Sequence, residues 1–216
     1  MIKINKRTST PDFFEAWKTE YKDKFQKDSK YADLIGEVKQ LLKTALYDEQ
    51  HGLCCYCCKE VSYPYPYAED SHIEHFRPKG VKLYENISLD YTNLHVSCSG
   101  YKETRENCGH KKDNWFDEKL TVSPLEEGVE KLFSYTVDGH IRAVDGNERA
   151  EVTIKKLELD SFSLRRLRTT AIYICGLFDD DFDNDKRSRI IYDYKTPLDG
   201  KLKSFCNAVT YCVANA

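Results

Sequence analysis

The chain has 216 residues, 32% of them charged, and a formal net charge of −3, so it can bury a core without disulfides and carries no general basic coat for nucleic acid. A hydrophobic content of 40% excludes a disordered polymer. No apolar run is long enough for a signal h-region or a membrane span, so a cytoplasmic protein with no membrane contact is expected. Nine cysteines, an odd number in clustered spacing, favour a reducing compartment and metal binding over a disulfide framework.

Residues 1–8 read as a loose or docking arm. Ser9 or Thr10 offers an N-cap, Pro11 a first helical position, and Asp12 and Glu15 a first turn. Phe13, Phe14, Trp17 and Tyr21 then follow at helical spacing, predicting a helix over 11–26. Leu34, Ile35, Val38, Leu41, Leu42, Ala45 and Leu46 form the stripe of a second amphipathic helix. It ends near His51-Gly52, where glycine supplies a left-handed cap. The stripe is expected to face the core, with a partner groove as the alternative.

The window from His51 to Trp115 holds six of the nine cysteines and five of the six histidines. A packed core has no reason to crowd thiols and imidazoles together, whereas zinc-like ions bind both. The run Tyr63-Pro64-Tyr65-Pro66-Tyr67 reads as a rigid extended loop. His72–Phe76 and Tyr91–Val96 read as strands, and Cys108–Trp115 as the start of a helix. Past the window, Asp138-Gly139 predicts a two-residue hairpin turn between 133–137 and 140–144. Helices are expected over about 148–159, from Ser161 or Ser163 onward, and over about 201–214. The acidic run Asp179–Asp185 lacks the glycine and glutamate of a calcium loop, so it reads as solvated surface.

Within the window, Cys54 and Cys57 have the two-residue gap of a metal knuckle. Cys55 and Cys58 have the same gap, which leaves the register open. Cys98 and Cys108 are the natural second pair, at the two ends of a loop. Glu74 and His75 are neighbours on a strand, where side chains usually face opposite ways. A twisted or terminating strand can bring both to one cleft, the carboxylate to a hard cation and the imidazole to a water. His110, opening a helix after Cys108, could complete the cation's shell.

Cys-x-Tyr-Cys, Glu-His-Phe-Arg-Pro-Lys, Asn-Leu and Cys-Gly-His-Lys-Lys together resemble the HNH endonucleases of ββα-metal fold. More narrowly, they resemble the HNH family that includes PtuB, the nuclease partner of an ATPase in Septu and retron antiphage defence systems. The Ile154–Arg168 segment and the Gly-Lys-Leu-x-x-Phe near the C-terminus share that likeness. The resemblance implies an α+β protein in which a small zinc-pinned ββα-metal core, residues 51–116, lies between an N-terminal helical segment, 1–50, and a hairpin plus C-terminal helices, 117–216. Glu74 would be the acidic ligand of a catalytic Mg²⁺ or Mn²⁺, His75 the general base, Asn93 the residue positioning the histidine, and His110 a second cation ligand. Cys54, Cys57, Cys98 and Cys108 would hold a structural Zn²⁺, the tyrosine before Cys57 selecting this register. Arg77, Lys79, Lys111 and Lys112 would meet flanking phosphates of a nucleic acid, DNA ahead of RNA. An ATPase resembling PtuA is the implied partner. His72 and His95 are left as supporting or surface residues. A zinc-stabilised binding module without cleavage, and a toxin-like ribonuclease, are the competing expectations.

Overall fold

A computed structural model describes residues 1–63, 70–99 and 107–216. The loop expected over Pro64–Tyr67 and most of the segment joining Cys98 to Cys108 lie outside the described residues. Helix and sheet are mixed: α1 (Asp12–Phe25), α2 (Gly36–Glu49), β1 (Ser71–His75), β2 (Leu94–Cys98), α3 (Cys108–Lys112), β3 (Phe133–Tyr135), β4 (Ile141–Ala143), α4 (Glu148–Lys156), α5 (Phe162–Ile174), α6 (Asn184–Lys195) and α7 (Cys206–Ala214). No described helix is long and apolar enough to cross a membrane.

The first residues are docked. Met1 and Ile4 are buried, the Met1 amine bonds the Tyr135 hydroxyl at 3.2 Å, and the Ile4 N–H reaches the Pro124 carbonyl at 2.8 Å. The expected Ser9 or Thr10 cap does not form. Pro11 itself stands at the cap with an extended ψ of 134°, because its ring fixes φ and its carbonyl takes the first helical bonds. Most of the expected stripe faces the core, with Leu34, Leu42, Ala45 and Leu46 buried, but Ile35 and Leu41 are exposed. Burying a leucine contributes about 1.5–3 kcal/mol. α2 ends through positive φ at His51 and Gly52. Gln50, buried just beyond it, donates to the Val96 carbonyl at 2.8 Å and accepts the Val96 N–H at 2.7 Å. A fully paired buried amide thereby fixes the end of α2 against β2.

β1 and β2 are antiparallel, with Ile73 opposite Val96 and Glu74 opposite His95. β2 starts at Leu94, because Tyr91–Asn93 form a 3-10 turn ahead of it. α3 lies against the Glu74 face, its Gly109 N–H donating to the Ser97 hydroxyl at 3.1 Å.

The second half wraps this unit. The β3–β4 turn is one residue longer than expected, since Thr136 pairs with His140 rather than Val137. Gly139 takes φ +83° there, and a Cβ on it would sit 2.2 Å from the Arg165 carbonyl, so the three-residue turn with a left-handed glycine wins over the two-residue one. Arg168 is buried, its guanidinium bonded to the Gly139 and Leu159 carbonyls. α7 is buried along most of its length, and just ahead of it the Phe205 N–H reaches the Cys58 carbonyl at 2.7 Å. The C-terminal segment therefore braces the cysteine-rich loop. The acidic run is surface, as expected, but it also caps an unforeseen helix. Asp183 accepts from the Lys186 N–H at the start of α6.

Candidate functional site

Two groups of side chains meet around β1, β2 and α3. The first is sulfur. Cys54, Cys57, Cys98 and Cys108 are all buried, and their Sγ atoms lie within 4.8 Å of one another. Cys57 and Cys98 are 3.7 Å apart at sulfur, close to the roughly 3.8 Å edge of a tetrahedron with about 2.3 Å metal–sulfur bonds. This set could hold a metal ion, and four thiolates in a closed site are the donors zinc favours. The register is Cys54/Cys57. Cys55 is not one of the four clustered donors, its N–H being bonded to the Val96 carbonyl, and Cys58 is buried beside the chain's amino group. Burial alone would push the Cys54 thiol up, but hydrogen bonds from Cys108, Cys55, Cys57 and Cys98 hold it well below its usual range.

The second group lines a cleft of about 630 Å³ between α2, β1 and α3. Glu74 and His75 both reach it, because β1 terminates at His75 and the alternation of a continuing strand no longer applies. Glu74 divides its oxygens. Oε1 accepts from the Tyr56 hydroxyl at 3.1 Å and from the Lys112 ammonium at 2.8 Å. Oε2 lies 3.3 Å from His72 Nε2. Burial alone would raise the Glu74 carboxyl, but His72 and Lys112 hold it at about 2, so it is an anion at any physiological pH. The His72 and His110 rings are 4.3 Å apart. Gly109 packs against both His72 and the carboxylate, and a Cβ on it would fall 2.3 Å from Glu74 Oε2 and 2.7 Å from His72 Nε2. Only glycine lets α3 come this close.

His75 Nε2 lies 3.0 Å from the Ser88 carbonyl. A carbonyl only accepts, so Nε2 carries the proton and Nδ1 the lone pair. Burial, then the Lys79 charge, lowers the imidazole to about 4, leaving it neutral and able to accept a proton. Asn93 does not touch the ring. Its Oδ1 accepts the Arg77 N–H at 2.7 Å, its Nδ2 donates to the Arg77 carbonyl at 3.0 Å, and its own carbonyl accepts the Phe76 N–H. It holds the segment leaving His75, which in turn fixes the imidazole.

The four expected phosphate contacts separate. Arg77 is engaged by Glu118 through Nε and Nη2, both at 3.2 Å. Lys111 lies 3.6 Å from Glu158. Lys79 is exposed. Lys112 is a correction: its side chain is only 1% exposed, and it also donates to the His75 carbonyl at 2.8 Å. α3 turns it inward, so it neutralises Glu74 instead of meeting solvent phosphates. His95 is likewise no surface residue, being fully buried at the centre of β2.

Sequence reasoning missed the roles of His72 and Tyr56. His72 had a usable signal, since it lies one strand repeat before Glu74 and must share its face. Tyr56 had none, because its hydroxyl meets Glu74 only through the fold of the cysteine loop. No family model and no curated protein matches this chain.

Proposed function

We propose that this chain is a metal-dependent HNH endonuclease whose ββα-metal core is pinned by a structural zinc at Cys54, Cys57, Cys98 and Cys108. The observation that carries this is the meeting of an ionised carboxylate, two further imidazoles and a neutral, oriented histidine in one open cleft beside a closed four-sulfur set. Glu74 and His110 would hold a divalent cation, Mg²⁺ or Mn²⁺, with His72 beside them as a third donor. The bound cation would supply Lewis-acid stabilisation of the phosphate and of the departing 3′-oxygen. His75 Nδ1 takes a proton from water, its ring fixed by the Ser88 carbonyl and its backbone by Lys112. Asn93 keeps that backbone in place. The expected products are a 5′-phosphate and a 3′-hydroxyl. DNA is the favoured substrate and RNA the alternative. An antiphage role alongside an ATPase belongs to the same proposal, supported by the sequence resemblance.

The test is cleavage by purified protein of DNA and RNA, with EDTA, Mg²⁺ or Mn²⁺. Cleavage that needs a cation and falls about 10²–10⁴-fold in His75→Ala, with folding and zinc content intact, is the expected result. A His75→Ala variant that cuts at the wild-type rate would refute the assignment.

A further inference from the structure

The cleft has a wall that lies outside the metal-binding unit. Lys39, Gln40 and Lys43 of α2 line it, together with Tyr31 and, across from them, Lys79 and Gly80. Two ammonium groups lie over the Tyr31 ring: Lys39 Nζ is 5.7 Å from its centroid and Lys79 Nζ 5.2 Å. The ring itself packs edge-on against His75, with centroids 4.4 Å apart.

The other cations near the site are occupied. Lys112 is paired with Glu74, Arg77 with Glu118, and Lys43 donates to the Ser71 carbonyl at 2.8 Å. Lys39 and Lys79 have no acidic partner among the described residues; their recorded contact is with the Tyr31 ring. Of the acids lining the cleft, Glu74 is already neutralised and Asp113 stands beyond the end of α3. Two like charges held around one aromatic ring repel each other, and an anion between them would relieve that repulsion.

We propose that Lys39 and Lys79 form a phosphate clamp across Tyr31, seating a backbone phosphate of the nucleic acid beside the one that faces His75. This rests on the nuclease reading and adds a substrate-holding role for α2, a helix outside the expected catalytic core. The breadth of the Tyr31 ring separates the clamp from the imidazole. A phosphate held there is therefore a neighbour of the reacting group, and the clamp sets the register of the strand. Any phosphodiester backbone satisfies this chemistry, DNA or RNA.

The experiment measures binding, not cleavage. A phosphorothioate DNA oligonucleotide and an RNA of the same sequence are titrated, in buffer with no added Mg²⁺ or Mn²⁺ and no chelator, against wild type, Lys39→Ala, Lys79→Ala, the double variant and the remote Lys195→Ala. The affinity is followed as salt is raised. Each clamp lysine should lower the salt slope by about one and the double variant by about two, while Lys195→Ala leaves it unchanged. Both lysines are exposed, so zinc content and melting temperature should stay at wild-type values. An unchanged slope in the double variant, or no binding by wild type, overturns the clamp. Normal cleavage with an unchanged slope sinks the clamp alone. A lost slope in a protein that cuts nothing sinks the nuclease reading alone.

Discussion

The sulfur cluster, from the cysteine loop, β2 and α3, and the carboxylate cleft, from α2, β1 and α3, share α3 yet are finished differently. In the cluster, four like donors face one another, and the polar groups around them, such as the Lys59 N–H at 3.4 Å from Cys57 Sγ and the Ser97 hydroxyl at 3.7 Å from Cys54 Sγ, support the sulfurs from outside the set. In the cleft, each group is already engaged: Glu74 by Tyr56, Lys112 and His72, His75 by Ser88. α3 serves both, giving Cys108 to the sulfurs and His110 and Lys112 to the cleft. A closed site contributes to folding, whereas an open site must be held ready by other side chains while leaving room for a ligand. The cluster therefore predicts stability effects, and the cleft predicts effects on ligand binding and rate.

The largest effect is expected at the cluster. Cys57→Ser or Cys98→Ser should abolish stoichiometric zinc and cooperative unfolding, because metal-binding free energy at a closed site is folding free energy. Cys175→Ser, half-buried at the end of α5, should keep both. Zinc analysis and thermal melting decide it. Wild-type protein without zinc, after expression with ample metal, would break the comparison at its root.

Next comes the buried ion pair. Lys112→Met strands the Glu74 carboxylate and should cost about 3–5 kcal/mol in denaturant unfolding. Adding Glu74→Gln should recover much of that loss, since no buried charge is then left unpaired. Were Lys112 a phosphate contact, Lys112→Met would leave stability unchanged and the double variant would show no coupling. A smaller effect is expected from His72→Ala. It should weaken Mn²⁺ binding by about tenfold or more, read by calorimetry, and leave the zinc in place. Unaltered Mn²⁺ affinity would return His72 to a supporting role.

What the sequence made legible tracks how narrow the chemistry is. That the crowded thiols could hold a metal was readable from their knuckle spacing, whereas the choice of Cys54 and Cys57 over Cys55 and Cys58 came from the family resemblance alone. β1, α2 and the β3–β4 hairpin followed from periodicity and turn residues. Lys112 was misplaced because α3 is barely more than one turn long, too short for a pattern to tell its inner face from its outer. α6 went unseen because its residues are mostly polar and the acidic run ahead of it looked like solvated loop, although Asp183 was acting as a cap. The α2 wall was hidden for another reason: Lys39 and Lys43 stand on the polar side of an amphipathic helix, where a sequence offers only solvent.

The smallest expected effect separates the two regions by pH. His95, fully buried on β2 opposite Glu74, is lowered to about 3 by burial and then by the Lys6 charge. An unfolded histidine titrates near 6.5. Above that pH the imidazole is neutral in both states and adds no pH dependence. As pH falls below 6.5 the unfolded chain takes up a proton that the folded chain refuses until about 3, so stability is lost with acid across this window. The loss is about 1.4 kcal/mol for each pH unit. Thiolates of the cysteine cluster holding a metal would also protonate in acid, so wild-type melting alone cannot assign the slope. His95→Phe keeps the thiolates and removes the imidazole. Its unfolding free energy should therefore fall less steeply than wild type, by about 2 kcal/mol in total between pH 7 and 5. Parallel profiles would mean that acid acts through the sulfur cluster alone, and that the buried histidine carries no part of the pH dependence.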